Sequence, residues 1–356
     1  MVKGIYMKKS SLVLALILGL SLGFYGFASE VRAQGDQFYK GKTITIVIGS
    51  TAGGFYDRWA RLFARYMGKY IPGEPEFIAQ NMAGASSVIA TNHVYNVAKP
   101  DGLTLLMPLN SVYVDQIVAR PQVQYDLRKF HWIGTPSVEP SIMYMRNDAP
   151  YKSIEDIIKA QEAPKCGGSG TSSTDFILSS ILEEMVGAKI NNILGYPGGT
   201  EIDLAVEKGE VVCRSHSVSA HFGREPFDTW HKNGFDRHLI QTGRKRDARA
   251  PDAPTLLEVF ERHKVPEDSR RVARMLLAAV ELGRPMMVTP GTPPERVKIL
   301  REAYVKVLND PKAQDEAKRS RMDIEPTPAE ELEGLIKDIF DAPPDLIARA
   351  KKILAN

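Results

Sequence analysis

Cysteine is scarce in this chain, because only Cys166 and Cys213 occur among its 356 residues. The protein can therefore form at most one internal disulfide. In an oxidising compartment the two residues can pair, provided that their Cα atoms lie within about 7 Å of each other. They can equally be two buried thiols, and the sequence leaves both alternatives open.

Long apolar runs are also missing, apart from one near the N-terminus. Lys8 and Lys9 precede the apolar run 12–22, which is short for a bilayer span, and Val31 and Ala33 supply small residues at a cleavage site. This pattern predicts a secretory signal peptide over residues 1–33 that is cleaved near Ala33. The alternative is an uncleaved N-terminal anchor.

The predicted mature chain has no net surplus of positive or negative charge. The full sequence has 46 basic and 43 acidic residues, and cleavage after residue 33 removes four basic residues and one acidic residue. The mature chain is therefore neutral overall. This balance gives no reason to expect a nucleic acid or an anionic membrane as a partner.

Signatures of cofactor binding and catalysis are missing as well. The sequence has no Walker-type phosphate loop, no dinucleotide fingerprint after the first predicted strand, and no serine-hydrolase elbow Gly-x-Ser-x-Gly. An exported serine hydrolase, with His216 as base beside Ser215 or Ser217, is the enzyme alternative. Neighbours in a strand face opposite ways, however, so we predict no catalytic residue and no cofactor.

What the chain does contain is a regular alternation of predicted strands and helices, which is typical of an α/β fold. Residues 42–48 alternate isoleucine with threonine and valine, as a buried strand does, and lead into an amphipathic helix over 57–69. A second cycle begins near residue 142. The stretch after residue 236 is predicted to be mainly helical.

Four segments share one arrangement, in which a strand is followed by a loop of glycine, serine and threonine and then by a helix. They are residues 50–54, 84–87, 167–173 and 197–200. The first N–H groups of such helices have no internal partner and carry partial positive charge, so they suit a small anion. Because the loops contain no lysine or arginine, a carboxylate is a better match than phosphate. Two loops in each half predict a cleft between two lobes.

The candidate ligand-binding residues come from these loops and from a few nearby positions. Asp57 is expected to brace the first loop rather than to touch an anion, and His216 lies on a strand that should reach the cleft. The full set is Ser50, Thr51, Ala52, Gly53, Gly54, Tyr56, Asp57, Gly84, Ala85, Ser86, Ser87, Ser111, Gly170, Thr171, Ser172, Gly198, Gly199, Thr200 and His216.

Histidines are not spaced like a known zinc motif. His216 and His221 are five residues apart, and His231 and His238 follow further along the chain. We therefore expect surface or hydrogen-bonded histidines and no metal site.

Six motifs, in this order along the chain, resemble those of the solute-binding receptors of tripartite tricarboxylate transporters, the Bug family. They are GGFYDRWAR (53–61), NMAGAS (81–86), KPDGLTLL (99–106), GSGTS (168–172), YPGG (196–199) with GEV (209–211), and RDARAPDAPTLLE (246–258). The likeness covers nearly all of the predicted mature chain, and the last motif is the most specific.

The resemblance implies a periplasmic type II binding protein with two Rossmann-like lobes, a cleft, two chain crossovers and a helical C-terminal region. The lobes would be residues 34–135 plus 237–356 and residues 136–236. It also implies a monomer that binds a small organic acid (a di- or tricarboxylate or an aromatic acid) without chemistry. The acid would pass to a membrane permease of one large and one small subunit. A ligand-sensing subunit for a membrane kinase is a further alternative.

Two positions depart from the family pattern. Phe55 follows the glycine pair where many members keep a third glycine, which predicts a narrower or more apolar pocket. Val212 stands where many members carry aspartate, so the contact of that aspartate is missing or is replaced by Arg214 or His216. The resemblance therefore leaves the identity of the acid open.

Overall fold

The computed structural model describes residues 38–355, which form two β-sheets covered by α-helices. The predicted signal peptide, residues 1–33, lies outside the described residues. Within residues 38–355, no helix combines the length and apolar character needed to cross a membrane.

The strands divide between the two sheets according to their place in the chain. They are β1 (Thr43–Ile48), β2 (Glu76–Asn81), β3 (Thr104–Met107), β4 (His131–Thr135), β5 (Ser141–Arg146), β6 (Lys165–Gly168), β7 (Asn191–Leu194), β8 (Cys213–Ser217), β9 (Asp236–Gln241), β10 (Met286–Val288) and β11 (Thr327–Pro328). The first sheet has the order β11-β4-β10-β3-β1-β2 and the second the order β7-β6-β8-β5-β9.

Each sheet has a parallel part that carries the predicted loops. In the first sheet β1 pairs in parallel with β2 and β3, and in the second β6 pairs in parallel with β7 and β8. The remaining pairings, such as those of β10 with β3 and of β5 with β9, are antiparallel. Because parallel strands end at the same sheet edge, the loops after β1, β2, β6 and β7 are brought together.

The helices fill the faces of both sheets. They are α1 (Phe55–Tyr66), α2 (Val88–Asn96), α3 (Val112–Ile117), α4 (Ile154–Ile158), α5 (Thr174–Val186), α6 (Gly199–Lys208), α7 (Val218–Phe222), α8 (Phe227–Asn233), α9 (Leu256–Arg262), α10 (Glu267–Leu276), α11 (Ala279–Leu282), α12 (Pro294–Leu308), α13 (Pro311–Arg319), α14 (Ala329–Phe340) and α15 (Pro344–Ala355). The prediction of a two-sheet α/β architecture is thus confirmed.

The first βα unit shows why this sequence folds as predicted. Ile44, Ile46 and Ile48 are fully buried in β1, and α1 packs the buried rings of Trp59 and Phe63 beneath them. Each such side chain contributes roughly 1.5–3 kcal/mol through removal from water. Since the apolar face of α1 is covered, its first turn is held at the end of β1.

The two cysteines form a disulfide. Cys166 in β6 and Cys213 in β8 lie on adjacent paired strands with Cα atoms 4.4 Å apart. The sequence does not show that the two strands pair, because the cysteines lie in separate segments of the chain. The structure therefore excludes the alternative of two free thiols.

The lobe boundary lies later than the predicted residue 236. Strand β9 pairs with β5 in the second sheet, although the prediction gave residues 237–356 to the first lobe. The C-terminal helix α15 also contacts α5 and α10. The sequence of a single strand or helix does not show which sheet it joins. The assignment of β9 to the second sheet therefore required the structure.

Candidate functional site

A cleft of about 490 Å³ lies between the two lobes, and all four predicted loops reach it. Four helical segments start at its walls: α1 after Gly54, the 3₁₀ turn Ala85–Ser87 that leads into α2, α5 after Ser173, and α6 after Gly198. Because the first N–H groups of a helix lack an intrahelical partner and carry partial positive charge, the starts of several such segments at one cleft suit an anion.

Most of the predicted ligand-binding residues lie in the wall of this cleft, and some do not. The cleft is lined by the predicted residues Ser50, Thr51, Gly54, Tyr56, Gly84, Ala85, Ser86, Ser87, Ser111, Gly198, Gly199, Thr200 and His216. The structure does not place Ala52, Gly53, Asp57, Gly170, Thr171 and Ser172 in the wall. In the third loop the wall is formed instead by the flanking residues Ser169, Ser173, Thr174 and Asp175.

Asp57 braces the first loop, as expected. Its buried carboxylate accepts hydrogen bonds from the Gly53 N–H at 2.9 Å and from Arg61 at 3.0 Å. Burial alone would raise the pKa of Asp57, but the hydrogen bonds from Arg61 and Gly53 hold that pKa below its ordinary value. Asp57 and Gly53 thus fix the loop from behind, which explains their absence from the wall.

The second loop has an unusual backbone that Ser87 holds in place. Ala85, Ser86 and Ser87 have φ values of 44°, 50° and 78°, in the left-handed region that ordinary residues avoid. The Ser87 hydroxyl donates to the Gly49 carbonyl at 2.7 Å and accepts from the Leu109 N–H at 2.9 Å. Such strain persists only where the surroundings over-determine it, and it is commonly found at ligand-binding sites.

Three arginines form part of the cleft wall, although the predicted loops contain none. Arg214, Arg224 and Arg284 come from β8, from the α7–α8 connection and from the segment before β10. Their positions depend on which strands become neighbours. Of the three, the sequence points only to Arg214, as a replacement for the aspartate that many family members carry at the position of Val212.

The guanidinium of Arg214 is held by two acidic side chains. It pairs with Asp203 at 2.7 Å and with Asp175 at 3.4 Å, and it donates to the Gly199 carbonyl at 2.7 Å. Arg224 also contacts Asp203. These pairs connect the cleft wall to α6 through Asp203 and to α5 through Asp175.

Arg284 links the two lobes where the chain crosses between them. It is fully buried, forms an ion pair with Glu139, and donates to the Ser217 hydroxyl at 2.9 Å. Burial lowers the pKa of Arg284 to about 10, so the guanidinium stays protonated at neutral pH. With Glu139 beside it, Arg284 adds little net charge to the cleft.

The sequence matches one family model over most of its length. Residues 60–351 match the model described as tripartite tricarboxylate transporter family receptor. This chain belongs to that receptor family. A UPF0065 protein from the gbd 5′ region of Cupriavidus necator is 28% identical over 307 residues, which cover 84% of each chain.

Solved structures that are similar to the receptor have the type II binding-protein fold. The periplasmic binding protein BugD superposes with a TM-score of 0.68 at 20% identity, over 88% of this chain and 98% of that one. MatC from Rhodopseudomonas palustris, solved with bound malate, has a TM-score of 0.66 at 18% identity, over 88% and 99%. At these identities the likeness shows the fold, and it confirms the predicted fold class.

Two cleft hydroxyls of the receptor have no protein partner. The Oγ atoms of Ser50 and Ser215 are buried in the wall and make no hydrogen bond within residues 38–355. Burying an unpaired hydroxyl costs roughly 1–3 kcal/mol. One hydroxyl lies on each side of the cleft, so both are ready to bond a polar ligand or water.

The two departures from the family pattern have different outcomes in the receptor. Phe55 lines the cleft, and its ring centroid lies 5.0 Å from the Arg284 guanidinium, so this part of the wall is aromatic; a narrower or more apolar pocket stays a prediction. Val212 lies outside the wall, while Arg214 and His216 are part of it. The His216 Nε2 atom lies 3.0 Å from Nδ1 of His221. Its close contact is therefore another imidazole, which does not support the hydrolase alternative.

Proposed function

We propose that this receptor captures one small organic carboxylate in the cleft between its lobes, performs no chemistry on it, and delivers it to a membrane permease. The observation that carries the proposal is the convergence of four helical N-termini on one cleft of about 490 Å³. Neutral N–H donors at helix starts are suited to anions. A space of this size lies within the range of small-molecule binding pockets.

The charge balance of the cleft favours carboxylate groups, each with one negative charge, over phosphate groups. The three arginines of the wall are paired with Asp175, Asp203 and Glu139. The free donors are therefore mainly backbone N–H groups and the hydroxyls of Ser50 and Ser215. Such donors suit the single delocalised charge of each carboxylate group of an acid.

The acid is proposed to be a di- or tricarboxylate or an aromatic acid. Donor loops on both lobes can hold a carboxylate at each end of a short ligand, and the malate complex of MatC is an example of a dicarboxylate in this fold. Phe55 and Tyr56 add apolar surface between the donors. This surface suits the carbon skeleton of the acid.

Delivery is proposed to require closure of the two lobes, which the family assignment and the cleft geometry support. A Cβ atom at Gly198 would lie 2.5 Å from Thr51 Oγ1, and one at Gly170 would lie 2.9 Å from Ser86 Oγ. Each pair joins a loop of one lobe to a loop of the other. A ligand that bonds both walls would favour the closed state through these additional contacts.

We propose that the receptor is a monomer in the periplasm, and that its permease has one large and one small subunit.

The proposal is tested by thermal unfolding of residues 34–356 with a panel of acids and their uncharged amides. The correct acid at 100 times its dissociation constant should add about 2.7 kcal/mol to the free energy of unfolding. The amide of the same acid should add much less, because it lacks the negative charge that the helix N-termini stabilise. No turnover of the acid is expected in the same samples.

Matched variants locate the effect in the cleft. Ser50→Ala and Ser215→Ala should weaken the binding of the acid by roughly 3- to 10-fold each, the value of one hydrogen bond. Ser320→Ala, outside the cleft, should bind like the wild type. Equal stabilisation by acid and amide, or no stabilisation by any acid of the panel, would contradict the proposal.

A further inference from the structure

Four side chains of the second lobe converge on one point beside the cleft. They are His221 on α7, His231 on α8, and Asp236 and His238 on β9. The potential ligand atoms of all four lie within 4.8 Å of one another. The separation of these residues along the chain had predicted only surface or hydrogen-bonded histidines. His221 is fully buried and lies within hydrogen-bond distance of three other histidines, so the surface alternative does not apply to it.

The distances between the atoms match a tetrahedral metal site. His221 Nε2 lies 2.8 Å from His238 Nε2, 3.0 Å from His231 Nε2 and 3.1 Å from Asp236 Oδ2. The Asp236 oxygen is 3.5 Å from His231 Nε2 and 3.8 Å from His238 Nε2. Ligand atoms placed 2.0–2.1 Å from a tetrahedral zinc ion are about 3.3 Å apart, which is near the middle of these values.

Hydrogen bonds alone do not account for this arrangement. A neutral imidazole nitrogen has either one proton to donate or one lone pair that accepts. His221 Nε2 faces two imidazole nitrogens and a carboxylate oxygen, and it can bond only one of them well. Several polar atoms therefore point at one another without a proton between them, whereas a cation would accept a lone pair from each.

The carboxylate of Asp236 is a second, independent observation. Its side chain is fully buried, and neither oxygen has a hydrogen-bond partner within residues 38–355. A buried carboxylate without a donor is costly, and such groups are normally paired or bind a metal. The groups within ion-pair distance of Asp236, among the described residues, are the three histidines.

We propose that His221, His231, Asp236 and His238 bind a divalent transition-metal ion, and that this ion is zinc. Imidazole ligands with one carboxylate and tetrahedral geometry suit zinc, while magnesium and calcium require mainly oxygen ligands. Four protein ligands complete the coordination, so the site is structural. The side chains of His231 and His238 are 24% and 19% exposed, which gives the ion a route of entry.

The site is connected to the ligand cleft through one residue. His221 binds the ion through Nε2, so its proton resides on Nδ1 and is donated to His216 Nε2 at 3.0 Å. His216 lines the cleft. The ion would thus fix the orientation and tautomer of a side chain in the cleft wall, and would tie α7 and α8 to β9.

The test measures zinc binding by residues 34–356, produced without a polyhistidine tag and stripped with EDTA. Titration against a fluorescent zinc indicator should give one tight site per chain. Asp236→Asn and His231→Ala should weaken that site by roughly 100-fold or more. His263→Ala, an exposed histidine outside the cluster, should leave it unchanged. Cobalt added in place of zinc should show the intense visible absorption of four-coordinate Co²⁺ in the wild type and in His263→Ala, and not in Asp236→Asn or His231→Ala.

Folding is checked separately by the circular dichroism of each variant in EDTA, and His238→Ala replaces any variant that does not match the wild type. The proposal is overturned if the wild type binds zinc no more tightly than Asp236→Asn and a folded histidine variant. It is also overturned if His263→Ala weakens binding as much as they do. These measurements do not involve the acid, so they test the metal site independently of the proposed transport function.

Discussion

Buried charged side chains determine the geometry of the cleft at the scale of single residues. Arg214 is held by Asp175 and Asp203, and Arg284 is held by Glu139. Breaking a buried pair by removing one partner commonly costs 3–5 kcal/mol, because the other charge is left uncompensated. These pairs therefore contribute more to the position of the cleft walls than to net stability.

Asp175 provides a pH-dependent prediction at this scale. Burial raises the pKa of Asp175 from 3.8 to about 6, and Arg214 and the Ser215 N–H lower it only in part. The folded state therefore binds the proton more tightly than the unfolded state does. As the pH rises from about 4 to about 6, this group should reduce the free energy of unfolding by up to about 3 kcal/mol, with no further change above.

Asp175→Asn should remove this part of the pH dependence, because asparagine retains an oxygen for the Ser215 N–H but does not titrate. Urea unfolding of the wild type and the variant from pH 4 to pH 7 measures the difference. Asp268→Asn, on the exposed face of α10, is the control and should follow the wild type. A variant curve parallel to that of the wild type would show that Asp175 does not titrate in this range.

At the scale of elements, the starts of the helices decide how closely the lobes approach. Gly198 precedes α6 and has φ of −170°, an extended conformation that any residue adopts. A side chain at this position is therefore limited by its neighbours and not by its backbone. The nearest neighbour of the added Cβ atom is Thr51 Oγ1, in the loop before α1, at 2.5 Å.

Gly198→Ala should weaken binding of the acid about 10-fold or more, because the added methyl group meets Thr51 and keeps the lobes apart. Thr51→Ala in the same chain should restore part of the affinity, since it removes the obstructing hydroxyl and methyl groups. Isothermal titration calorimetry measures both constants. Gly334→Ala, where a Cβ atom would have no neighbour within 4 Å, should bind like the wild type. Unchanged affinity in Gly198→Ala would show that these loops do not approach in the bound state.

Local sequence patterns predicted the elements that position the loops, and they did not predict the short strands. The alternating isoleucines of β1 and the glycine-rich segments after β1 and β7 are local signals, and the structure places each where expected. Ser153 and Asp156 form a capping box at the start of α4, which is also a local pattern. In contrast, β10 has three residues and β11 has two, which is too few for a periodic pattern. The stretch after residue 236 is mainly helical, as predicted.

At the scale of the whole molecule, the parts that could not be predicted are those that depend on connectivity between distant segments. Arg284 reaches the cleft because β10 inserts between β3 and β4. His221, His231 and His238 meet because α7 and α8 fold back over β9. Neither contact has a local signal in the sequence. The predicted cleft, with donor loops on both lobes, needed only the family resemblance and the strand–loop–helix pattern.

The most direct test of the central claim is a crystal structure of residues 34–356 with the acid that stabilises the protein most. The account predicts one molecule in the cleft, with a carboxylate 2.7–3.2 Å from backbone N–H groups of the loops that begin α1 and the Ala85–Ser87 turn. The other end of the acid should contact the loops before α5 or α6 of the opposite lobe. An acid bound outside this cleft, or held in it without backbone N–H contacts, would contradict the account.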